Sequence, residues 1–192
     1  TLGGLTVGKK ILAAFFQSGT TRTAGFAAVD QGSLTGSGKL VSMLLMLVGG
    51  SSGSTAGGIK TVSVALLFLM SYSVLRNRKE TVLFGRRIPQ QQMASAASIA
   101  LLVSGLGLMG GMILSAANGL ALSDCLYESI SAICTVGLST GITAGLNLGS
   151  KILLIVYMFF GRVGIMTISF AFMTKIPPDN AVRRPEARVL IG

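Results

Sequence analysis

Long apolar runs separated by short polar connections dominate the chain, and their lengths predict two kinds of helix. Three stretches are long enough to cross a bilayer, which takes about 20 apolar residues in a helix: residues 38–75 with a Gly/Ser interruption, 93–117 and 148–173. Two other apolar stretches, 9–18 and 123–134, reach about half that length. Segments of that size suit re-entrant helices, which enter the membrane and turn back where protein or water satisfies the backbone beyond them.

Each short stretch runs into Thr, a small or branched apolar residue, Gly and a larger apolar residue: Thr23-Ala24-Gly25-Phe26 and Thr135-Val136-Gly137-Leu138. Sliding the chain on itself by about 112 positions superposes these tetrapeptides. One ungapped offset also pairs Leu34 with Leu146, Lys39 with Lys151, Gly49 with Gly161 and Thr55 with Thr167. The repeated unit reads as outer helix, pore helix, filter-like strand and inner helix. The second unit is complete, with 93–117 as its outer helix; the outer helix of the first is expected upstream of Thr1.

Composition agrees with a membrane protein. Hydrophobic residues make up 51% of the chain, charged residues 11%, and mean hydropathy is +0.72; a soluble domain carries about 25% charged residues. The net charge of +10 would suggest nucleic acid for a soluble protein, but apolar segments such as 40–48 and 152–160 exclude that partner. The basic excess instead marks topology: Arg76, Arg78, Lys79, Arg86 and Arg87 crowd one connection, and Lys175, Arg183, Arg184 and Arg188 crowd the tail. By the positive-inside rule, 76–87 and 175–192 are cytoplasmic and 118–124 lies outside. The chain has no His, and Cys125 and Cys134 form no metal-ligand or disulfide framework. Thr1 opens the chain with no leader-like charged and apolar pattern, which reads as a truncated start without a signal peptide.

The chemistry of the two tetrapeptides suits a cation. An ion entering a narrow pore loses its water, and backbone carbonyls of extended loops replace those oxygens without a fixed charge that would trap it. Glycine reaches the backbone conformations that turn successive carbonyls toward one axis. The Thr23 and Thr135 hydroxyls add oxygens at the inner mouth, and the partly negative C-termini of the two short helices favour a cation nearby. Either tetrapeptide alone reads as a loop that ends a helix; two copies, each after a half-length apolar helix, point to a filter. Two such loops do not close a ring, so others must come from elsewhere.

Within the first inner helix lies Gly49-Gly50-Ser51-Ser52-Gly53-Ser54-Thr55-Ala56-Gly57-Gly58-Ile59-Lys60-Thr61. A phosphate-binding loop would need Gly immediately before Lys and a short buried strand before the loop; Ile59 intervenes, and a membrane-length apolar run precedes it. Unwound backbone at membrane depth must line water or be buried in protein, so this stretch is either a gate below the filter or a break that lets neighbours pack closely. Arg162 stands in Met158-Phe159-Phe160-Gly161-Arg162-Val163-Gly164-Ile165-Met166. A charge there costs at least ~2.5 kcal/mol unless it finds water or a partner. It either donates to loop carbonyls and repels a waiting cation, or snorkels to the interface.

These segments together with Gly19-Thr20-Thr21-Arg22 and Ser139-Thr140-Gly141 resemble the KtrB/TrkH/HKT superfamily of cation transporters, over nearly the whole chain. The resemblance implies an all-α membrane fold of M1-P-M2, K+-channel-like pore repeats with re-entrant pore helices and one broken inner helix. Residues 1–92 would be the third repeat without its outer helix plus a cytoplasmic connection, 93–174 the complete fourth repeat, and 175–192 a cytoplasmic tail. It implies filter carbonyls at Thr23 to Phe26 and Thr135 to Leu138 holding K+, a gating loop over Gly49 to Gly58 with Lys60, and Arg162 as a gating arginine. It further implies potassium uptake across a bacterial plasma membrane, Na+ as an activator, surrounding membrane lipid, a homodimer, and a cytoplasmic ring of nucleotide-binding RCK-type (KtrA/TrkA-like) subunits. No cofactor and no catalytic residue are expected of this chain. The short tail is closer to the KtrB form.

Two other functions fit parts of the pattern. A sodium-permeable or Na/K-cotransporting member of the same superfamily has the same architecture. A secondary transporter also uses broken helices, but places its site between inverted repeats, whereas both units here run in the same direction. A membrane enzyme needs convergent acid and base groups, and Asp30, Glu80, Asp124, Glu128, Asp179 and Glu186 show no paired spacing.

Overall fold

A computed structural model describes residues 6–51, 56–76, 81–83 and 86–163. Ser52 to Thr55 of the Gly/Ser stretch, Arg78, Lys79, Gly164 and the basic tail 175–192 lie outside the described residues. The described chain is mostly helical. Its elements in order are α1 (Val7–Thr20), α2 (Gly36–Leu47), α3 (Thr61–Leu75), β1 (Val82–Leu83), β2 (Arg86–Arg87), α4 (Gln90–Asn118), α5 (Leu122–Ile133), a 3-10 turn (Ile142–Gly145) and α6 (Leu148–Val163).

α4 is the long apolar helix. At 1.5 Å per residue its 29 residues reach about 43 Å, and among the described residues it alone is long and apolar enough to cross a membrane. Leu101, Leu108, Met109 and Met112 stand exposed on it, which in water would be unfavourable and in lipid is not. Gly119 ends the helix in the left-handed conformation (φ 65°) with its N–H on the Ser115 carbonyl, the usual glycine stop. α5 is different: its 12 residues give about 18 Å, too short for a ~30 Å hydrocarbon core, and Cys125 and Tyr127 through Ile133 are buried.

α5 is the hub of the fold, packing on α4, α6 and α2. Its close approach to α4 depends on small residues. A Cβ on Gly111 would lie 2.5 Å from the Leu126 side chain, and one on Gly110 would lie 2.4 Å from both Ser129 Oγ and the Tyr157 ring. Ser129 uses the proximity to donate to the Gly107 carbonyl (2.8 Å), and Tyr157 donates to that of Leu106 (2.9 Å). Close backbone approach through glycines replaces the hydrophobic driving force that lipid-facing helices lack.

The apolar run over 38–75 is divided into two helices in the backbone. α2 stops at Leu47 and α3 starts at Thr61, and a parallel bridge between Val48 and Ile59 closes the neck of the excursion. Gly49 N–H donates to the Ile59 carbonyl (2.9 Å), Ile59 N–H to that of Leu47 (3.1 Å) and Thr61 N–H to that of Gly50 (3.2 Å). The basic connection after α3 holds a feature the charge pattern did not reveal, the two-residue antiparallel pair β1–β2 with Val82 opposite Arg87 and Leu83 opposite Arg86.

Candidate functional site

Both Thr-x-Gly-x tetrapeptides follow the C-terminus of a short helix, α1 or α5, and both share one backbone signature. Thr23 and Thr135 have φ of 66° and 54°, and Gly25 and Gly137 have 75° and 87°. In each segment the residue between the left-handed Thr and Gly keeps an ordinary negative φ. For a threonine the left-handed conformation costs about 1–2 kcal/mol, so its appearance at two equivalent positions marks a built feature. Among the described residues these two threonines are the only non-glycine residues with positive φ.

Hydroxyls at the ends of the short helices fix the fourth residue of each segment. Thr20 Oγ1 donates to the Phe26 carbonyl (2.7 Å) and Ser131 Oγ to that of Leu138 (2.6 Å). Both carbonyls are thereby turned toward their own helix, whereas the Thr, Ala/Val and Gly carbonyls accept no hydrogen bond from the described residues. The two segments also touch each other: a Cβ on Gly25 would lie 2.5 Å from the Val136 carbonyl oxygen, and one on Gly137 would lie 3.8 Å from Gly25 Cα.

The Gly/Ser stretch reaches the base of the second segment. Gly57 N–H donates to Thr135 Oγ1 (3.1 Å), and Gly58, at φ 71°, lies against Cys134. From the other side Gly161 of α6 packs on the Ile133 carbonyl and the Thr135 methyl. Lys60 Nζ donates to the Ala56 carbonyl (2.5 Å) at the foot of the stretch. Arg162, next to Gly161, lines a cavity of about 590 Å³ together with Glu128, Thr135, Gly137 and Leu138. Thus Gly57, Gly58 and Gly161 meet at Cys134 and Thr135, where the second segment begins, Gly49 packs on Gly57 and Gly50 pairs with Thr61, and Ser52 to Thr55 lie outside the described residues.

Three polar devices around the site had no signal in the sequence reading. Glu128, 5% exposed, accepts from the Ser139 hydroxyl (2.6 Å), the Thr140 N–H (2.9 Å) and hydroxyl (3.2 Å), and the Thr143 hydroxyl (3.0 Å), so a buried carboxylate clamps the chain that leaves the second segment. Beside the first segment amides do the bracing: Gln17 and Gln31 bond each other, Gln31 Nε2 also donates to the Val29 carbonyl, and Tyr127 Oη of α5 donates to Gln31 Oε1 (2.8 Å). Finally, Lys39 in the first turn of α2 forms an ion pair with Asp124 in the first turn of α5. The available clue was Lys39 itself, a cation at a helix N-terminus, where the helix dipole disfavours it unless an anion is near.

Comparison with known proteins adds the following. The TrkH family, described as cation transport protein, matches residues 1–184. Ktr system potassium uptake protein B of Vibrio alginolyticus is 40% identical over 193 residues, covering 100% of this chain and 42% of that protein. Potassium/sodium uptake protein NtpJ of Enterococcus hirae is 33% identical, covering 97% of this chain and 43% of that protein. Ktr system potassium uptake protein B of Bacillus subtilis is 35% identical, covering 100% and 43%. The chain therefore spans less than half the length of these curated relatives.

Proposed function

The chain belongs to the TrkH family of cation transport proteins, and on that premise we propose that it supplies two of the pore units through which a bacterial plasma-membrane system takes up potassium. The family is described by transport, not catalysis, and the chain is part of a membrane protein. The observation that carries the reading is the paired backbone signature: two Thr-x-Gly-x segments, in contact, each after a half-length helix, each with left-handed Thr and Gly. Carbonyls of Thr23, Ala24, Gly25, Thr135, Val136 and Gly137 replace the hydration shell of K+; those of Phe26 and Leu138 anchor the segments to their helices.

The two units touch through Gly25 and Val136, Lys39 and Asp124, and Gln31 and Tyr127, which supports their being neighbours in one ring that units outside these residues complete. Residues 1–92 then form a third repeat, 93–174 the fourth and 175–192 a cytoplasmic tail. The Gly49 to Gly58 stretch with Lys60 is the gate beneath the filter, and Arg162 stabilises its closed position. Relatives named for a Ktr system support a further component, here a nucleotide-binding regulatory ring, alongside a homodimer of the translocating subunit in lipid. The name potassium/sodium uptake protein for the Enterococcus hirae relative favours one second reading, a sodium-permeable or sodium-activated transporter.

The test is Gly137→Asp in the full-length protein, expressed in cells that lack potassium uptake of their own. A carboxylate at the segment's axis traps or blocks the ion, so uptake is expected to vanish at normal membrane abundance. Uptake at the wild-type rate would refute the filter assignment.

A further inference from the structure

We propose that Glu128 is a positioning residue for ion selection: its carboxylate fixes the turn that follows the second filter segment and, through that turn, the spacing of the two segments. This rests on the filter reading above and names the side chain that keeps the segments in register.

The surroundings of Glu128 select a carboxylate. Such a group only accepts hydrogen bonds, and the four groups that reach it are all donors. Its Oε1 accepts from the Ser139 hydroxyl (2.6 Å), the Thr140 N–H (2.9 Å) and the Thr140 hydroxyl (3.2 Å), and its Oε2 accepts from the Thr143 hydroxyl (3.0 Å). Ser139 directly follows Leu138, whose carbonyl is held by Ser131, so the clamp acts one residue beyond the filter segment. Inside the turn Gly141, at φ 95°, donates its N–H to Ser139 Oγ (2.9 Å). Phe16 is the repeat mate of Glu128 in the first unit, so the carboxylate at this position is particular to the second.

The clamped turn is also where the two units meet. A Cβ on Gly32 would lie 2.8 Å from the Thr140 carbonyl oxygen, so the chain leaving the first segment is seated on a residue that Glu128 holds. Gln31, beside Gly32, accepts from the hydroxyl of Tyr127 (2.8 Å), the neighbour of Glu128 on α5. Two adjacent residues of one short helix therefore reach the exits of both segments, and the contact between Gly32 and Thr140 closes the loop. Tyr127, Gln31 and Glu128 are 0%, 1% and 5% exposed, which leaves water little access to replace their bonds. Selection between potassium and sodium depends on where the coordinating carbonyls stand, and a turn released from Glu128 lets the two segments shift against each other.

The experiment reads the potassium-to-sodium permeability ratio of the full-length protein in liposomes, with membrane abundance and melting temperature measured on the same variants. Glu128→Ala opens the clamp and is expected to lower the ratio about tenfold, the scale of one hydrogen bond to a charged group. Glu128→Gln keeps an oxygen for Ser139 and Thr140 and turns its amide toward Thr143, whose hydroxyl accepts as well as donates, so its ratio stays within about twofold of wild type. Thr143→Val removes only the Oε2 partner; it shifts the ratio less, in the same direction, and adds nothing to Glu128→Ala. A residue that merely supports the fold would lower the melting temperature and leave the ratio alone, so a wild-type ratio in Glu128→Ala overturns the proposal. A Glu128→Gln ratio as low as that of Glu128→Ala does so too, since charge and not the clamp would then be acting. Where Glu128→Ala does not reach the membrane, a wild-type ratio in Thr143→Val is the overturning result. Gly137→Ala, measured alongside, separates the two levels: a shifted ratio there with unshifted clamp variants removes the clamp and keeps the filter, and no shift in any variant removes both.

Discussion

Replacing Gly25 by alanine puts a methyl group 2.5 Å from the Val136 carbonyl oxygen at a backbone φ of 75°. Ordinary contact at such a pair begins at 3.4 Å, so the two segments must separate by about 0.9 Å unless the chain leaves its left-handed conformation. Holding alanine at positive φ costs about 1–2 kcal/mol, and overpacking against backbone adds about 1–3 kcal/mol. The total, roughly 2–5 kcal/mol, exceeds the ~1.4 kcal/mol that corresponds to tenfold in an equilibrium. The two Thr-x-Gly-x segments are the structures that must yield, because their own backbones are the atoms in contact. The separation is larger than the difference in ionic radius between potassium and sodium, so selectivity is expected to degrade along with rate. The assay is potassium uptake, with sodium competition, by cells carrying the full-length variant at matched membrane abundance. Gly36→Ala serves as the control, since a Cβ there meets nothing within 4 Å. Uptake is expected to fall at least tenfold for Gly25→Ala and to stay near normal for the control. Wild-type rate and selectivity in Gly25→Ala would refute the claim that the two segments are pressed together at this glycine.

Two further predictions concern how the units are held. Lys39→Met leaves the Asp124 carboxylate without its ammonium partner, and with side-chain exposures of 9% and 23% screening removes only part of the effect; a loss of about 1–3 kcal/mol in stability is expected. Thermal unfolding in detergent, run as a cycle with Asp124→Leu, should show the double variant closer to wild type than the sum of the singles, and strict additivity would contradict a direct pair. Gly111→Val drives a side chain into Leu126, whose nearest atom would be 2.5 Å from the new Cβ. It is expected to lower the melting temperature by several degrees, and unaltered melting would contradict the close α4–α5 approach.

What the sequence made legible was whatever repeats locally. The half-length apolar runs 9–18 and 123–134 correspond to α1 (Val7–Thr20) and α5 (Leu122–Ile133), and the span 93–117 corresponds to α4 (Gln90–Asn118). The Gly/Ser interruption falls between α2 and α3 as glycine density predicts. The span expected over 148–173 is described as α6 to Val163, and its remainder lies outside the described residues. Contacts between distant positions were not legible. Lys39 and Asp124 stand 85 positions apart, and Gln31 and Tyr127 stand 96 apart, so no periodicity links them. Glu128 looked like one of six scattered acids, because its value comes from four donors on a chain segment that doubles back. The β1–β2 pair is not legible because each strand is only two residues long and β2 consists of two arginines, which carry no alternating pattern.

The central claim is that a cation sits among the Thr23 to Gly25 and Thr135 to Gly137 carbonyls. The most direct measurement is the anomalous scattering of thallium or rubidium in crystals of the full-length protein. The account predicts peaks on the axis between these segments, within about 3 Å of their carbonyl oxygens and absent in a crystal without the heavy cation. An ordered filter region with no peak there, and a cation peak elsewhere in the membrane-embedded part, would contradict it.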